Sequence, residues 1–243
     1  MVAIKRPNEN GGGELFMPDR ANPIYPVLSV DADLDPSAPW AGTAWDRAPA
    51  LAVDCFRPES SPHRPRTRVK LMRDGQALWG FFDVQDRYVR CRHTRFQAPV
   101  YKDSCVEFFV QPHPDSGYFN FEFNCGGALL ASYITDATRT AEGFQAYRQL
   151  TPEEGQRIGV WPSMPPVVDP EIAAPRTWKL VFRVPFDLLA QYAGPLRVDE
   201  GATWRANFFK CGDETSHPHW AAWCPVDALN FHLPRCFGYL RFV

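Results

Sequence analysis

The sequence predicts an all-β protein, an antiparallel β-sandwich of the jelly-roll type with about ten strands and one short helix. Three observations carry this prediction. Short apolar runs with period-two alternation recur along the chain, as in strands that bury one face. The 24 prolines and 16 glycines separate these runs at short intervals, as turns do. Aromatic residues make up 14% of the 243 residues, so a large core between two sheets can form.

The predicted elements follow an irregular N-terminal arm. Residues 1–24 contain a run of three glycines and no strand pattern, so we assign them to this arm and residues 25–243 to a single domain. Strands are predicted over 51–56, 67–73, 77–84, 105–111, 118–124, 129–135, 178–184, 204–210, 220–225 and 237–243. A short helix is predicted over 186–192, directly after Pro185. Residues 151–175 are rich in proline and glutamate and are predicted to form a long loop with one strand over 157–161.

Charge and hydropathy exclude two classes of partner. The formal net charge is −2 and the pI is near 6.3, so no basic surface is available for nucleic acid. No apolar run of about 18 residues is present, which excludes a membrane-spanning helix. The N-terminus lacks an apolar segment with a small-residue cleavage site, and the seven cysteines form no Cys-x-x-Cys pair. These observations favour a cytoplasmic location, and a secreted location stays open.

Two neighbouring strands separate apolar and polar residues onto opposite faces. In the strand 118–124, three phenylalanines alternate with polar residues that include Glu122 and Asn124. In the strand 105–111, two valines and a phenylalanine lie on one face and Glu107 on the other. The short connection between them contains proline, aspartate and glycine, which predicts a hairpin. The hairpin would bring the two glutamates and the asparagine onto one polar face.

Further residues extend this face. Arg205 and Asn207 alternate with apolar residues in the strand 204–210. Carboxylate, amide and guanidinium groups can bond hydroxyls bidentately, and an aromatic ring can stack on the C–H face of a sugar. Tyr101 and Trp223 are the candidate rings. The pattern indicates sugar binding, and its alternative is an ordinary solvated sheet face.

These residues resemble carbohydrate-binding modules of family 9 and their relatives. The similarity lies in the segment from Tyr101 through Val-Glu-Phe-Phe to Asn124, and in the C-terminal Phe-Gly-x-Leu at 237–240. It covers roughly residues 40–243. The resemblance implies a β-sandwich that binds sugars without catalysis, is often joined to a xylanase, and is supported by calcium ions. It also implies that a glycan chain end is held between two aromatic rings.

The resemblance also implies roles for single residues. Tyr101 corresponds to the first stacking aromatic residue, and Trp223 lies near the second. Glu107 and Asn124 correspond to the hydroxyl-binding carboxylate and amide. Two positions depart from the family, because Tyr101 replaces a tryptophan and Glu122 stands where sugar-binding members have an arginine. The expected partner is a small sugar or the end of a polysaccharide such as xylan, with a preference that differs from that of the family.

Two other functions compete with sugar binding. Glu107 and Glu122 could act as the carboxylate pair of a glycoside hydrolase, since such pairs lie about 5 Å apart in retaining enzymes and 6.5–9.5 Å apart in inverting enzymes. A structural or interaction domain is the third hypothesis, with the arm 1–24 closing the aromatic cleft.

Candidate metal ligands also occur. Asp83 and Asp86 could supply oxygen ligands for calcium, and their alternative role is to cap a turn. His232 is expected to order the loop beside Trp223, with a sugar contact as the alternative. A zinc-like composition without the spacing of a standard zinc finger is found in Cys211, His217, His219 and Cys224.

Overall fold

The computed structural model of the protein describes residues 22–30, 34–141 and 143–243. Sixteen strands are found in these residues. The strands are β1 Ile24–Ser29, β2 Leu51–Ala52, β3 Cys55–Phe56, β4 Arg66–Arg73, β5 Ala77–Asp86, β6 Val89–Cys91, β7 Cys105–Gln111, β8 Tyr118–Asn124, β9 Leu129–Thr140, β10 Gly143–Gln149, β11 Gly159–Pro162, β12 Val168–Ile172, β13 Arg176–Pro185, β14 Thr203–Cys211, β15 Trp220–Ala222 and β16 Gly238–Phe242.

Helical segments are short. They are the helices α1 Pro152–Gly155 and α2 Phe186–Ala193 and the 3-10 turns Ala44–Arg47, Val100–Lys102 and Pro234–Cys236. None of the helices in the described part of the chain is long and apolar enough to cross a membrane. The helix α2 confirms the predicted helix and extends it by one residue.

Most of the strands form two sheets that share β1, and β6 and β12 pair with each other in a separate two-stranded sheet. The front sheet has the order β10-β9-β8-β7-β14-β16, and the back sheet has the order β4-β5-β13-β11. Strand β1 pairs in parallel with β16 through residues 24–27 and with β4 through residues 28–29, so it passes from one sheet to the other. The other pairs in both sheets are antiparallel. Strand β15 pairs with the last residues of β14, beyond β16.

The core between the sheets is rich in phenylalanine. The rings of Phe108 and Phe208 in the front sheet lie 5.0 Å apart, and Phe182 of the back sheet lies 5.3 Å from Phe108. All three residues are fully buried. Because neighbours along a strand point to opposite faces, this core also fixes which residues point outward from the front sheet.

The structure confirms the predicted antiparallel sandwich, and β7 and β8 have the predicted bounds. Strands β1, β6, β10 and β12 were not predicted. Strand β1 contains Pro26 and pairs in parallel, and β10 is largely exposed, so neither shows clear apolar alternation. Residues 1–21 of the predicted arm lie outside the described residues, and Ile24 already belongs to β1. The single domain over 25–243 stays a prediction.

Candidate functional site

Two glutamates lie at the centre of the outer face of the front sheet, the face that points away from the back sheet. Glu107 on β7 and Glu122 on β8 are direct cross-strand partners. Residues opposed in this way have Cβ atoms about 4.5–5.5 Å apart. The two residues are only 3% and 5% exposed. This acid pair matches the predicted polar face in parity, but it is covered by surrounding loops rather than open to water.

The acid pair is only partly satisfied by hydrogen bonds. Glu107 Oε1 accepts from the Cys211 thiol at 3.1 Å, and Glu122 Oε1 accepts from the Asn120 amide at 2.8 Å. Glu122 Oε2 is buried and has no protein partner. Buried polar atoms are nearly always paired, so this carboxylate oxygen is available to accept a hydrogen bond.

Burial dominates the electrostatics of the acid pair. It raises the pKa of Glu122 to about 7, and the negative charge of Asp213 adds to this increase. Burial also raises the pKa of Glu107 well above its usual value, with further contributions from Cys211 and Glu122. Strongly raised carboxyl pKa values cluster at functional sites, which supports a functional role for this face.

Three partly exposed rings lie around the acid pair, and we call them the aromatic rim. Tyr101 is 37% exposed, and its pKa is raised by burial and by the nearby charge of Glu122. Trp220 donates from Nε1 to Asp213 Oδ1 at 2.8 Å. The ring of Phe231 is stacked on Phe209, the cross-strand partner of Glu107, at 4.1 Å. Trp220 and Phe231 also pack on one small apolar cluster beside the acid pair.

The side-chain amides of Asn124 and Asn207, predicted to bind sugar hydroxyls, instead form hydrogen bonds to the backbone of neighbouring segments. Asn124 donates to Asp103 and to a backbone carbonyl, and its oxygen accepts from a backbone N–H. Asn207 donates to the Cys224 carbonyl and accepts from two backbone N–H groups. Both residues are completely buried. The sugar-contact roles predicted for them are therefore replaced by structural roles, because their hydrogen-bonding groups are already occupied.

Trp223 points to the opposite side of the front sheet from the acid pair. Its indole packs edge-on against Phe208 at 5.9 Å and belongs to the edge of the core between the sheets. The tip of the indole lies so close to Gly238 that a Cβ there would be 2.9 Å away. Trp220, three residues earlier, has the opposite parity and packs on the outer face. The prediction chose the tryptophan of the wrong parity for this face, since the sequence does not show how β15 is registered against β14.

Arg205 and His232 also have structural roles. Arg205 lies four residues along β14 from the partner of Glu107, a distance of about 13 Å at 3.2–3.4 Å per residue. Its Nη2 lies 3.3 Å from each of the carbonyls of Arg235 and Phe237. His232 Nδ1 lies 2.9 Å from the Tyr118 hydroxyl, and burial lowers the His232 pKa to about 3. His232 is therefore neutral near pH 7 and orders its loop.

The two predicted calcium ligands do not fit calcium. Asp83 forms an ion pair with Arg68 at 2.6 Å. Asp86 bonds to His63 at 2.8 Å and pairs with the fully buried Lys210 at 3.4 Å. A calcium ion needs six to eight oxygen ligands, whereas cationic side chains already occupy the space beside these carboxylates.

The zinc-like set of cysteines and histidines does not assemble either. Cys211 is on the outer face of the front sheet, because it bonds to Glu107. Lys210 directly precedes Cys211 on β14, so its side chain points to the other face of the sheet. His219 accepts a hydrogen bond from Lys210 and therefore lies on that other face. The candidate zinc ligands are thus divided, since Cys211 and His219 lie on opposite faces of the front sheet.

The sequence profile described as carbohydrate-binding family 9 matches residues 43–242. The structure is similar to that of an inferred carbohydrate-binding protein from Bacteroides uniformis ATCC 8492, with a TM-score of 0.80 and 26% identity over 92% of this chain and 100% of that one. A family 9 module from Caldicellulosiruptor kristjanssonii shares the fold in two complexes. The TM-scores are 0.58 with glucose and 0.57 with cellotriose, at 12% and 13% identity, covering 91% and 90% of this chain and 96% and 93% of those chains. A search of curated proteins gives no match.

The β-sandwich is the fold of the family 9 modules. Because the family profile covers most of the 243 residues, the chain belongs to carbohydrate-binding family 9. The resemblance drawn from the sequence is confirmed. The family consists of binding modules rather than catalysts, so the glycoside hydrolase hypothesis for Glu107 and Glu122 gains no support.

Proposed function

We propose that this protein binds a neutral sugar, or the end of a neutral glycan chain, at the aromatic rim. The observation that carries the proposal is the half-exposed Tyr101 ring beside Glu122, whose Oε2 is buried without a partner. Membership of the family supports it, as do the glucose and cellotriose complexes of a module with the same fold.

The chemistry of a sugar suits both parts of the site. Its C–H face can stack on the Tyr101 ring, with Trp220 or Phe231 closing the other side. Its hydroxyls are donors, and Glu122 and Asp213 offer carboxylate oxygens as acceptors. Bonds from hydroxyls to carboxylates are charge-assisted and stronger than bonds between neutral groups. The unpaired oxygen of Glu122 would then gain the donor that the protein does not supply.

The acid pair also predicts which sugars are preferred. Above about pH 7 Glu122 carries a negative charge, so the floor accepts hydrogen bonds and repels anions. Neutral glucose- or xylose-based chains should therefore bind better than chains that end in a uronic acid. Among neutral glycans we expect the end of a xylan chain to be the ligand, because the resemblance to family 9 modules of xylanases implies it.

Titration of the protein with cellotriose and xylotriose, followed by tryptophan fluorescence and calorimetry, tests the proposal. We expect saturable binding in the millimolar range, equivalent to about −4 kcal/mol. Tyr101→Ala should weaken binding about 2- to 12-fold, as expected for the loss of one stacking contact of 0.5–1.5 kcal/mol.

The matched control is Tyr147→Ala, because Tyr147 on β10 is 41% exposed and lies outside the aromatic rim. It should leave the affinity unchanged. The proposal fails if neither trisaccharide binds at about 10 mM or if both tyrosine variants weaken binding equally. Tighter binding of a glucuronate-ended oligosaccharide than of a neutral one would contradict the predicted preference.

A further inference from the structure

We propose that Cys105, Glu107 and Cys211 form a binding site for a thiophilic divalent metal ion of the zinc type. The site lies at one end of the acid pair, on the outer face of the front sheet. It does not depend on sugar binding, and it is separate from the aspartates that were considered for calcium.

Strand geometry places the three ligands together. Cys105 and Cys211 are direct cross-strand partners on β7 and β14. Glu107 lies two residues after Cys105 and therefore on the same face. The two sulfurs and a carboxylate oxygen all lie within 4.8 Å of one another, and Cys211 Sγ is 3.1 Å from Glu107 Oε1. In a tetrahedral zinc site with bonds of about 2.3 Å to sulfur and 2.1 Å to oxygen, ligand atoms lie roughly 3.5–3.8 Å apart. Small side-chain rotations reach this geometry.

Glu122 supplies a second and independent indication. Its carboxylate is 5% exposed, its Oε2 has no partner, and it is directly opposite Glu107. Because it is the cross-strand partner of Glu107, it lies on the same face of the sheet as the cluster. A tetrahedral ion bound by these three protein ligands keeps one position open for water or another ligand.

The hydrogen bonds of the two thiols go to oxygen atoms: Cys105 Sγ lies 3.7 Å from the Val106 carbonyl and Cys211 Sγ lies 3.1 Å from Glu107 Oε1. The ammonium of Lys210 bonds to the backbone carbonyl of Cys211 and to His219, not to the thiols. A bound divalent cation would be held by the thiols as thiolates, which release their protons on binding.

The two thiols select the type of ion. Thiolates are soft ligands that favour zinc over calcium or magnesium, which prefer oxygen ligands. Cobalt(II) should occupy the same site and report its ligands through its absorption spectrum, because thiolate coordination produces charge-transfer bands.

The test uses the full chain, kept reduced and stripped with a chelator, in the absence of sugar. After incubation with Zn²⁺ and gel filtration, elemental analysis should find about one zinc per chain. Co²⁺ should give thiolate charge-transfer absorption, and excess Ca²⁺ should not displace either ion. Zinc should also raise the thermal midpoint of unfolding, because it binds the folded state.

Cys105→Ser and Cys211→Ser should lose the bound zinc and the cobalt spectrum. Cys236→Ser is the matched control, since Cys236 is a free, partly exposed cysteine outside the cluster, and it should retain both. Should the serine variants fail to fold, Glu107→Gln preserves the side-chain volume and should bind zinc at least tenfold more weakly. A wild-type chain that retains no zinc overturns the proposal, as do serine variants that retain as much zinc as Cys236→Ser. Failure of sugar binding alone leaves these results unchanged.

Discussion

Asp86 lies between the two sheets and Glu122 lies on the outer face of the front sheet, and they are 4% and 5% exposed. Burial alone would raise the pKa of Asp86, but the charge of Lys210 and a hydrogen bond from His63 hold it well below its usual value. At Glu122 burial is not offset in this way, and the pKa rises to about 7. The two carboxyl groups are thus equally buried, but their pKa values are shifted in opposite directions. The difference teaches that the lack of a cation bonded to Glu122 within the described residues, rather than its burial, distinguishes the outer face as the place for a ligand.

The largest effect is expected between the sheets. Asp86→Asn should lower the free energy of unfolding by about 3–5 kcal/mol, because it leaves the charge of Lys210 buried without its counter-ion. Urea denaturation of the variant and the wild type measures this loss. Asp187→Asn is the control, since its carboxylate is 76% exposed in an ion pair with Arg157 and should change stability by less than about 0.5 kcal/mol. A loss below about 1 kcal/mol for Asp86→Asn would show that the buried pair is not a structural necessity.

A half-buried histidine at the edge of the outer face extends the comparison to a group whose charged form is a cation. The pKa of His232 is lowered to about 3, mainly by burial and also by Arg139, whereas its usual value is 6.5. Between pH 6.5 and 3 the imidazole of His232 is therefore protonated in the unfolded chain but not in the folded chain. The free energy of unfolding falls as the pH decreases through this range. At pH 5 the loss from this residue should be roughly 2 kcal/mol.

His232→Gln should therefore flatten the pH dependence of unfolding between about pH 6.5 and 4, since glutamine does not titrate. The Tyr118 hydroxyl, which faces His232 at 2.9 Å, can donate to the glutamine oxygen as well. His219 keeps its own lowered pKa, so part of the acid sensitivity should persist. A variant with the wild-type slope would mean that the pKa of His232 is the same in the folded and unfolded states.

At Glu122 we expect the opposite sign from Asp86. In the metal-free and sugar-free protein at about pH 8, Glu122→Gln should raise the free energy of unfolding by about 1 kcal/mol, because it removes an unpaired buried carboxylate. The glutamine oxygen can still accept from Asn120, whose bond to Glu122 is 2.8 Å long. Urea unfolding beside Asp86→Asn measures both signs in one experiment. A loss of stability would indicate that the protein itself satisfies Glu122.

The sequence was sufficient for the elements that alternate clearly. The hairpin of β7 and β8 was predicted with its bounds and with Glu107 and Glu122 on one face, because Phe and Val at every second position fix strand parity. The sandwich followed from the number of such strands and the nearly complete lack of helix. The family resemblance arose from the same hairpin and from the C-terminal strand.

The rest depended on contacts between distant parts of the chain. Asn124 and Asn207 share the parity of the acid pair, but only the fold shows that loops use their amides. Asp86 and Lys210 are 124 residues apart, so their ion pair could not be foreseen from local pattern. The exposure of Tyr101 is compatible with the stacking role predicted for it, whereas the positions of Trp220 and Phe231 beside the acid pair could not be read from the sequence, because the pairing of their strand and loop is not visible in it.

The smallest effect is expected at Arg205, which sequence parity assigned to the same polar face as the acid pair. Arg205→Ala should leave sugar affinity within about twofold of the wild type, because the residue lies about 13 Å along β14 from the row of Glu107. Its guanidinium faces the carbonyls of Arg235 and Phe237, so any stability loss should be local and small. Calorimetric titration with the trisaccharide that binds the wild type measures the ratio of affinities. A tenfold loss would extend the binding site along the sheet and would weaken the contrast between the acid pair and the structural residues around it.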